Sequence, residues 1–413
     1  MLYKELQSVD KGYFGEIFKI NENTLLKVME YGINENLNEV CFLSSYKHIP
    51  FITQIIKCEI KNSKILLYMK NAGKTLKDKS KTMCLDDKIK ILPILLNQIC
   101  RILLWIEEEK ILHCDIKPEN ICINDDNFIT LIDWSHVNKV YNGNIYSNGT
   151  KIYNEPETYH CKRIDYSSEM FSFGISLIYF LFSDLNYIDW EEFCDNFYTN
   201  FKNIDKLNEI AFDILGLEKL KNKFIDIFKN DKYYNILSSM VNINTNKRIK
   251  TKELFNFCDF SLYPIIIKNE YKYNFIIPEF QKLNKKKLGI LINWLIDVKF
   301  VLKLNTSLFD SIVILFKYIN IKKIDINDFQ IIGIVCLYIS TIINNENLLT
   351  IETCMKLCYE KNNDRINSLL FDILDTLNFD MFIPNNNFEC ENNVKEYWKN
   401  LFLDSKNNFK NIN

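Results

Sequence analysis

The sequence lacks a marked excess of charge of either sign. Its 51 Lys and Arg residues nearly balance its 53 Asp and Glu residues, which leaves a formal net charge of -2 over 413 residues. A protein that binds nucleic acid or an anionic membrane through bulk electrostatics carries a strong positive excess. We therefore expect no nucleic-acid partner and no membrane partner for this chain.

The sequence also lacks features of a secreted or membrane-spanning chain. Its 13 cysteines show neither the spacing of a disulfide framework nor a pair of CxxC motifs, which favours a reducing compartment. Residues 1–5 contain no apolar segment of the secretory type. The most apolar run, Met170 to Phe182, is too short to cross a bilayer and is typical of a buried helix. We expect an intracellular location, in the cytoplasm or the nucleus.

Apolar residues, by contrast, are plentiful enough for sizeable cores. Hydrophobic residues make up 47% of the chain and aromatic residues 14%, which argues against global disorder. A length of 413 residues predicts two or three domains on the usual range of domain sizes.

A polar motif at residues 113–120, H-C-D-I-K-P-E-N, combines three kinds of side chain that suit phosphoryl transfer. The carboxylate of Asp115 can accept the proton of an attacking hydroxyl, and the ammonium of Lys117 can offset charge on the moving phosphoryl group. The amide oxygen of Asn120 can hold a hard metal ion. A shorter motif would suit an ordinary polar loop after a helix. These eight ordered positions resemble the catalytic loop of a protein kinase, usually H-R-D-L-K-P-E-N.

Residues 9–19 resemble the glycine-rich loop of that family, whose backbone passes close to the phosphates of a nucleotide. Gly12 and Gly15 match two of its glycines, whereas Asp10 replaces the first. A turn with two glycines is, taken alone, more typical of a simple hairpin.

The apolar strand T-L-L-K-V-M at residues 24–29 resembles the strand that carries the phosphate-binding lysine of the family. Lys27 takes that position, and Leu25 replaces a small alanine that contacts adenine. On the following helix, Glu39 matches the ion-pair partner of this lysine. The structural alternatives are a snorkelling surface lysine and a solvated helix glutamate.

The resemblance implies ATP and Mg²⁺ as cofactors and a protein as substrate. D-W-S at residues 133–135 resembles the D-F-G motif, and Asp133 and Asn120 are the expected metal ligands. The expected catalytic residues are Asp115, Lys117, Lys27 and Glu39. The residues expected to bind the cofactor are Val9, Gly12, Phe14, Gly15, Ile17, Leu25, Lys27, Met69, Asn120 and Asp133.

Three further features concern the larger lobe and its regulation. Within E-P-E at residues 155–157, the resemblance implies that Glu157 is buried against Arg248. Lys117 and Thr150 resemble serine/threonine kinases rather than tyrosine kinases. Cys114 replaces the arginine that would bind a phosphorylated activation loop, so we expect that such phosphorylation is not the main switch.

Beyond residue 284 the pattern becomes all-helical and resembles a cyclin box. Its helices are expected at residues 288–298, 307–319, 331–339 and 364–381. The buried ion pair of that family falls on Leu288 and Phe316, and its kinase-contacting charges fall on Ile342 and Leu370. An unrelated helical bundle is the alternative, as is a transcription-factor-type cyclin fold acting as an adaptor.

The predicted fold is an α+β two-lobed protein kinase fold, with a small antiparallel β lobe and a large helical lobe, followed by an all-α cyclin-like domain. The predicted boundaries are a kinase domain at 1–260 (small lobe about 1–70, large lobe about 71–260), a linker at 261–284, a cyclin-like domain at 285–385 and a polar tail at 386–413. An intramolecular contact between the two domains is expected, with a separate kinase or cyclin as the other candidate partner. A pseudokinase scaffold is the alternative function.

Overall fold

A computed structural model describes residues 6–12, 15–140, 145–146, 149–161, 163–183, 187–200, 202–258, 285–304, 307–346 and 348–383. They form a small lobe built on a β-sheet, a larger helical lobe and an all-helical C-terminal domain. The expected α+β two-lobed architecture with an all-α domain after it is therefore confirmed. Phe14 and the predicted linker and tail lie outside the described residues.

The small lobe is a five-stranded antiparallel sheet in the order β1-β2-β3-β5-β4. Its side chains alternate between two environments, as the period of a strand requires. Leu26 and Val28 join a small cluster on one face, whereas Met29 belongs to the main core on the other. The strands are β1 (Gln7–Gly12), β2 (Gly15–Asn21), β3 (Thr24–Glu30), β4 (Ile55–Lys61) and β5 (Lys64–Lys70).

Helix α1 (Asn34–Ser45) lies between the small lobe and the rest of the molecule. Eight consecutive residues of α1, from Asn36 to Leu43, are buried. A helix covered on one face alone buries residues only at every third or fourth position. This continuous burial therefore means that α1 is covered on both sides.

The large lobe is organised around one long helix, α3, with short strands beside its C-terminal end. Its helices are α2 (Leu76–Thr82), α3 (Leu85–Glu109), α4 (Pro156–Cys161), α5 (Tyr166–Phe182), α6 (Tyr187–Asn200), α7 (Ile204–Ile214), α8 (Leu217–Phe228), α9 (Lys232–Met240) and α10 (Thr251–Phe257). Its strands are β6 (Lys74–Thr75), β7 (Ile111–Leu112), β8 (Ile121–Ile123), β9 (Ile129–Leu131), β10 (Asn138–Lys139), β11 (Ile145–Tyr146) and β12 (Arg163–Ile164).

Two helices of this lobe match the apolar patterns in the sequence. Helix α3 is long and apolar enough to cross a bilayer, but 67% of its most apolar segment is buried inside the protein, as in the core helix of a soluble lobe. The apolar run from Met170 lies in α5 and is buried almost throughout, so the expectation of a buried helix is confirmed. Asp165 and Ser168 form a capping box at the start of α5, which fixes where this helix begins.

The expected ion pair between Glu157 and Arg248 is wrong, because a glutamate two residues earlier takes that place. Arg248 is fully buried and pairs with Glu155, whereas Glu157 is exposed. Pro156 begins α4, which places Glu157 in the first turn of that helix and facing solvent. Glu155 precedes the helix and points inward, where it also accepts a hydrogen bond from Ser168. The E-P-E motif contains both glutamates, and only the start of α4 distinguishes them.

The C-terminal domain is a five-helix bundle around α13. Its helices are α11 (Lys285–Leu302), α12 (Ser307–Ile321), α13 (Phe329–Ile343), α14 (Ile351–Cys358) and α15 (Asp364–Thr376), and α13 contacts each of the other four. Leu288 and Phe316 are both buried. Apolar side chains therefore occupy the two positions where a cyclin box has a buried ion pair. A Cβ on Gly333 would lie 2.8 Å from Leu291 Cδ1, which shows how closely α11 and α13 approach.

The helical domain contacts α1 directly. Helix α13 packs beside α1, and the ring of Phe382 lies 5.1 Å from that of Phe42 in an edge-on arrangement. Ser45 Oγ donates to Asp380 Oδ1 at 3.0 Å and accepts from the Phe382 N–H at 3.1 Å. These contacts join α1 to the helical domain.

The two glutamates near Arg248 give a direct test of the corrected pairing. We expect Glu155→Ala to destabilise the large lobe by about 3–5 kcal/mol, because it leaves a buried guanidinium unpaired. The matched change Glu157→Ala removes an exposed side chain, and we expect an effect within about 0.5 kcal/mol. Urea unfolding followed by tryptophan fluorescence measures both, and a larger loss for Glu157→Ala would contradict the pairing.

Candidate active site

The side chain of Lys27 is held between two carboxylates. Its Nζ lies 2.9 and 2.7 Å from the two oxygens of Glu39 and 3.4 Å from Asp133 Oδ1. Burial alone would lower the pKa of Lys27, but the charges of Glu39 and Asp133 outweigh it, so the pKa lies above its ordinary value. Strand β3 and helix α1 thus present a charged ammonium beside Asp133.

Asp115 is the centre of a second network. Its Oδ2 accepts from Lys117 Nζ at 2.6 Å and from Asn120 Nδ2 at 3.0 Å. Its Oδ1 accepts from the N–H of Thr150 at 2.7 Å and from the Thr150 hydroxyl at 2.9 Å. Burial raises the pKa of Asp115, but Lys117 and Thr150 outweigh it and leave the pKa below its ordinary value. The carboxylate is therefore ionised and can accept a proton.

Asn120 and Asp133 fit the chemistry of a magnesium site. The amide nitrogen of Asn120 is used by the backbone and side chain of Asp115, which leaves its oxygen to face a cation. Burial would raise the pKa of Asp133, but the charge of Lys27 outweighs it and holds that pKa at about 2. In the described part of the chain no three His, Cys, Asp or Glu side chains converge on one point. A cation here would keep water or phosphate ligands, as Mg²⁺ usually does.

Ile17, Leu25, Lys27 and Met69, four of the residues expected to bind the cofactor, lie on one face of the small-lobe sheet. Leu25 pairs with Met69 across β3 and β5, and Ile17 pairs with Lys27 across β2 and β3. Val9 is 56% exposed and lies in an irregular part of the β1–β2 pairing, next to Asp10. The side chain of Asp10 is exposed and accepts from the neighbouring Lys11 N–H, so its carboxylate is satisfied locally.

The two glycines of this loop differ in what their positions require. Gly15 has a φ of +145°, and an added Cβ would lie 2.6 Å from the Val28 carbonyl oxygen. Only glycine fits such a position without moving the backbone. Gly12 has nothing within 4 Å of an added Cβ, so its surroundings would accept a side chain.

The comparison with known families agrees with this geometry. The model of the protein kinase domain matches residues 3–257, more than half of the chain. The chain belongs to the protein kinase family. The model of the cyclin N-terminal domain matches residues 266–382. The resemblance to a kinase followed by a cyclin box is thereby confirmed.

Curated relatives are distant and cover only parts of the chain. The probable serine/threonine-protein kinase FMP48 of Saccharomyces cerevisiae is 30% identical over 107 residues, which cover 22% of this chain and 29% of that protein. The probable serine/threonine-protein kinase mkcF of Dictyostelium discoideum is 25% identical over 184 residues, which cover 42% of this chain and 27% of that protein. The chain spans less than a third of the length of each of these relatives.

An aromatic stack connects the catalytic loop of the kinase domain with α1. The ring of His113 lies 4.5 Å from that of Trp134, which in turn stacks on Phe42 at 4.5 Å. Burial lowers the pKa of His113 to about 4, so the ring is neutral. Its Nε2 lies 3.1 Å from the Ile132 carbonyl oxygen and its Nδ1 accepts from the Asp115 N–H. Trp134 of D-W-S therefore fills a buried site under α1 and supports the backbone at Asp115.

The activation segment returns close to the catalytic loop at Gly149. A Cβ added there would lie 2.2 Å from the Cys114 carbonyl oxygen and 3.1 Å from Asp115 Oδ1. The absence of a side chain at Gly149 lets Thr150 reach Asp115 with both its N–H and its hydroxyl. The hydroxyl of Thr150 also accepts from Lys117 at 2.9 Å.

Cys114 is buried, and neither its N–H nor its thiol is placed to bind an anion. Its φ is +68°, and its N–H donates to Glu169 Oε1 at 2.7 Å. Its thiol lies 3.7 Å from the Leu112 carbonyl oxygen and 3.6 Å from Asn138 Nδ2, and burial raises its pKa well above the ordinary value. A neutral thiol in this position offers a phosphate no charge.

Sequence reasoning missed one residue of this region that joins several elements. Asn38 is fully buried, and its Nδ2 donates to the Val137 carbonyl oxygen at 3.1 Å. It thereby connects α1 to the segment that follows D-W-S. Asn38 directly precedes Glu39, but an asparagine within a helix carries no pattern that would predict a partner 99 positions away.

Glu169 predicts a pH dependence of stability. Burial raises its pKa to about 7 from 4.5, despite hydrogen bonds from the backbone N–H groups of Cys114 and His113. Between these values the folded state binds more protons than the unfolded state, so stability falls as pH rises. Relative to Glu169→Gln, which does not titrate, we expect the parent to lose about 3 kcal/mol between pH 4.5 and pH 7.5. Urea unfolding of both proteins at several pH values measures this, and a constant difference would contradict it.

Proposed function

We propose that the chain is a serine/threonine protein kinase that transfers the γ-phosphoryl group of ATP to protein hydroxyls. The observation that carries this proposal is the ionised Asp115 held by Lys117, Asn120 and Thr150 next to the Lys27–Glu39 pair. Phosphoryl transfer depends mainly on positioning and on electrostatic stabilisation. The site supplies both.

Asp115 acts as the base for the acceptor hydroxyl. Its lowered pKa keeps it ionised, and Lys117 and Thr150 fix its orientation. Lys117 lies 2.6 Å from the same carboxylate and can offset negative charge on the transferred group. The contact of Lys117 with Thr150 supports specificity for Ser or Thr hydroxyls, and the two relatives are named as probable serine/threonine-protein kinases.

Lys27 and the two metal-ligand candidates act on the phosphates. Glu39 holds the ammonium of Lys27 in place, where it can bind phosphate oxygens. Asn120 and Asp133 would hold Mg²⁺ through their oxygens. An ion held there would offset negative charge on the phosphates.

The catalytic assignment predicts loss of phosphoryl transfer in two variants. We expect Asp115→Ala to lower kcat by about 10²–10⁴-fold, the usual contribution of a positioned base. Lys27→Ala should lower kcat/KM for ATP and leave Glu39 buried without its partner. Phosphorylation of a generic serine peptide with labelled ATP measures both, and Asp125→Ala, at an exposed position of the same lobe, is the control.

Retained turnover in Asp115→Ala or Lys27→Ala would contradict the assignment. A parent protein whose melting temperature rises with Mg-ATP, but which transfers no phosphate, would indicate the pseudokinase scaffold instead. The departures Asp10, Leu25 and Ser135 are the residues to examine in that case.

We further infer that the cyclin-like domain regulates the kinase domain in cis by holding α1 inward. Phe382 packs on Phe42, and Ser45 Oγ is bonded to the Asp380 carboxylate and to the Phe382 N–H. A contact that favours one arrangement of α1 shifts the population toward the state in which Glu39 meets Lys27. Tethering within one chain gives an effective concentration of about mM, so even a weak interface is occupied.

The cis contact predicts that Phe382→Ala lowers activity while Phe300→Ala does not. Phe382 is fully buried against α1, whereas Phe300 lies on α11 of the same domain and is 74% exposed. We expect kcat/KM of the Phe382 variant to fall about tenfold or more, since loss of a buried aromatic costs about 3–5 kcal/mol of packing. Full activity in this variant, or in a chain ending at Cys258, would contradict regulation in cis.

A further inference from the structure

A second contact between the domains is polar, buried and does not involve α1. Lys139 Nζ of β10 lies 2.7 Å from Asp310 Oδ2 of α12, and their side chains are only 1% and 3% exposed. Asn344 Nδ2 donates to the same oxygen at 2.8 Å. The ammonium of Lys139 also lies 4.6 Å from the centre of the Phe382 ring, within the range of a cation–π contact.

Asn345 adds two bonds from the helical domain to the same segment. Its Nδ2 lies 3.0 Å from the Val137 carbonyl oxygen and 2.7 Å from Asn138 Oδ1. The Val137 carbonyl oxygen is also the acceptor for Asn38 of α1. Residues 137–139, which open the activation segment, are therefore bonded to both α1 and the helical domain.

The position of Lys139 matters because β10 pairs with the strand that leads into the catalytic loop. Asn138 pairs with Leu112 and Lys139 with Ile111, and His113 follows directly. A contact that holds β10 in place therefore also holds β7, the strand directly before the loop that carries Asp115. Burial lowers the pKa of Lys139, and the charge of Asp310 opposes this.

The catalytic loop next to this strand lacks the arginine that would bind a phosphate on the activation segment. Cys114 stands where the resembling kinases have an arginine, and its thiol carries no charge to bind an activation-segment phosphate. Asp310 brings a carboxylate to the same region from 171 positions further along the chain. A carboxylate and a phosphate oxygen accept the same charge-assisted hydrogen bond from an ammonium.

We propose that Asp310 is a positioning residue that anchors the opening of the activation segment through Lys139, in place of a phosphate on that segment. This proposal rests on the proposed kinase function. The cyclin-like domain then supplies a permanent anion in cis. The kinase domain is expected to be active without phosphorylation of its activation segment.

The test uses the full chain after treatment with a protein phosphatase. It compares the parent with Asp310→Asn, which keeps the shape of the side chain and removes its charge, and with the swapped double variant Lys139→Asp/Asp310→Lys. Glu352→Gln is the matched control, because Glu352 pairs with Lys356 in the same domain but both side chains are about 75% exposed. The readouts are kcat and KM for a serine peptide and amide hydrogen exchange at residues 111–114 and 137–140.

We expect the phosphatase-treated parent and Glu352→Gln to be equally active. Asp310→Asn should lower kcat about 10-fold to 100-fold, as misplacement of a catalytic group does, with KM for ATP changed less than about threefold. Exchange at residues 137–140 should become faster. The swapped variant should recover most of both losses, since the amide of Asn344 can rotate to accept from a lysine.

Three results would overturn the proposal. The first is a phosphatase-treated parent that loses its activity, and the second is unchanged exchange and kcat in Asp310→Asn, even if its melting temperature falls. The third is a swapped variant that recovers neither exchange nor kcat. If no protein in the series transfers phosphate, the proposed function fails, and the exchange data alone decide whether Asp310 anchors the segment.

Discussion

Glu39 is a carboxylate with almost no contact with water, and its helix is held from two sides. The carboxylate of Glu39 meets Lys27 at 2.7 Å, and Phe42, which lies one turn further along the same helix, packs against Phe382 of the helical domain. A buried ion pair offsets the cost of removing its charges from water only when the two groups stay in close, well-oriented contact. The position of the Lys27 ammonium therefore depends on whatever keeps α1 in place. In this chain that includes residues more than 300 positions away from α1 along the sequence.

The coupling between the domains converges on residues 137–139. The Val137 carbonyl oxygen accepts from both Asn38 and Asn345, and Lys139 is neutralised by Asp310. Because buried polar groups are costly when left unpaired, α1, the activation segment and the helical domain are stable together in this one arrangement. Residues 137–139 are therefore where α1, the activation segment and the helical domain are in contact.

Much of the fold and of the candidate site could be predicted because kinase motifs have fixed spacing. Lys27, Glu39, Asp115, Asn120 and Asp133 stand at recognisable places. The structure joins Lys27 to Glu39 and Asp133, and it joins Asp115 to Asn120. The apolar run from Met170 to Phe182 also predicted a buried helix, and it lies in α5. The error at Glu157 arose where two glutamates flank Pro156. The motif spacing favours Glu157 as the partner of Arg248. Because α4 begins at Pro156, however, it is Glu155 that points inward.

The sequence by itself determined the family, the order of the two domains and the chemical identity of the catalytic groups, because these depend on local patterns of residue type. Only the tertiary structure decided how the domains meet. The ion pair of Lys139 with Asp310 and the packing of Phe382 on Phe42 join residues far apart in the chain. Such pairs leave no periodic signal, since each partner is an ordinary polar or apolar residue of its own helix or strand. Each pair stabilises the protein only after folding has brought its two side chains together and removed them from water.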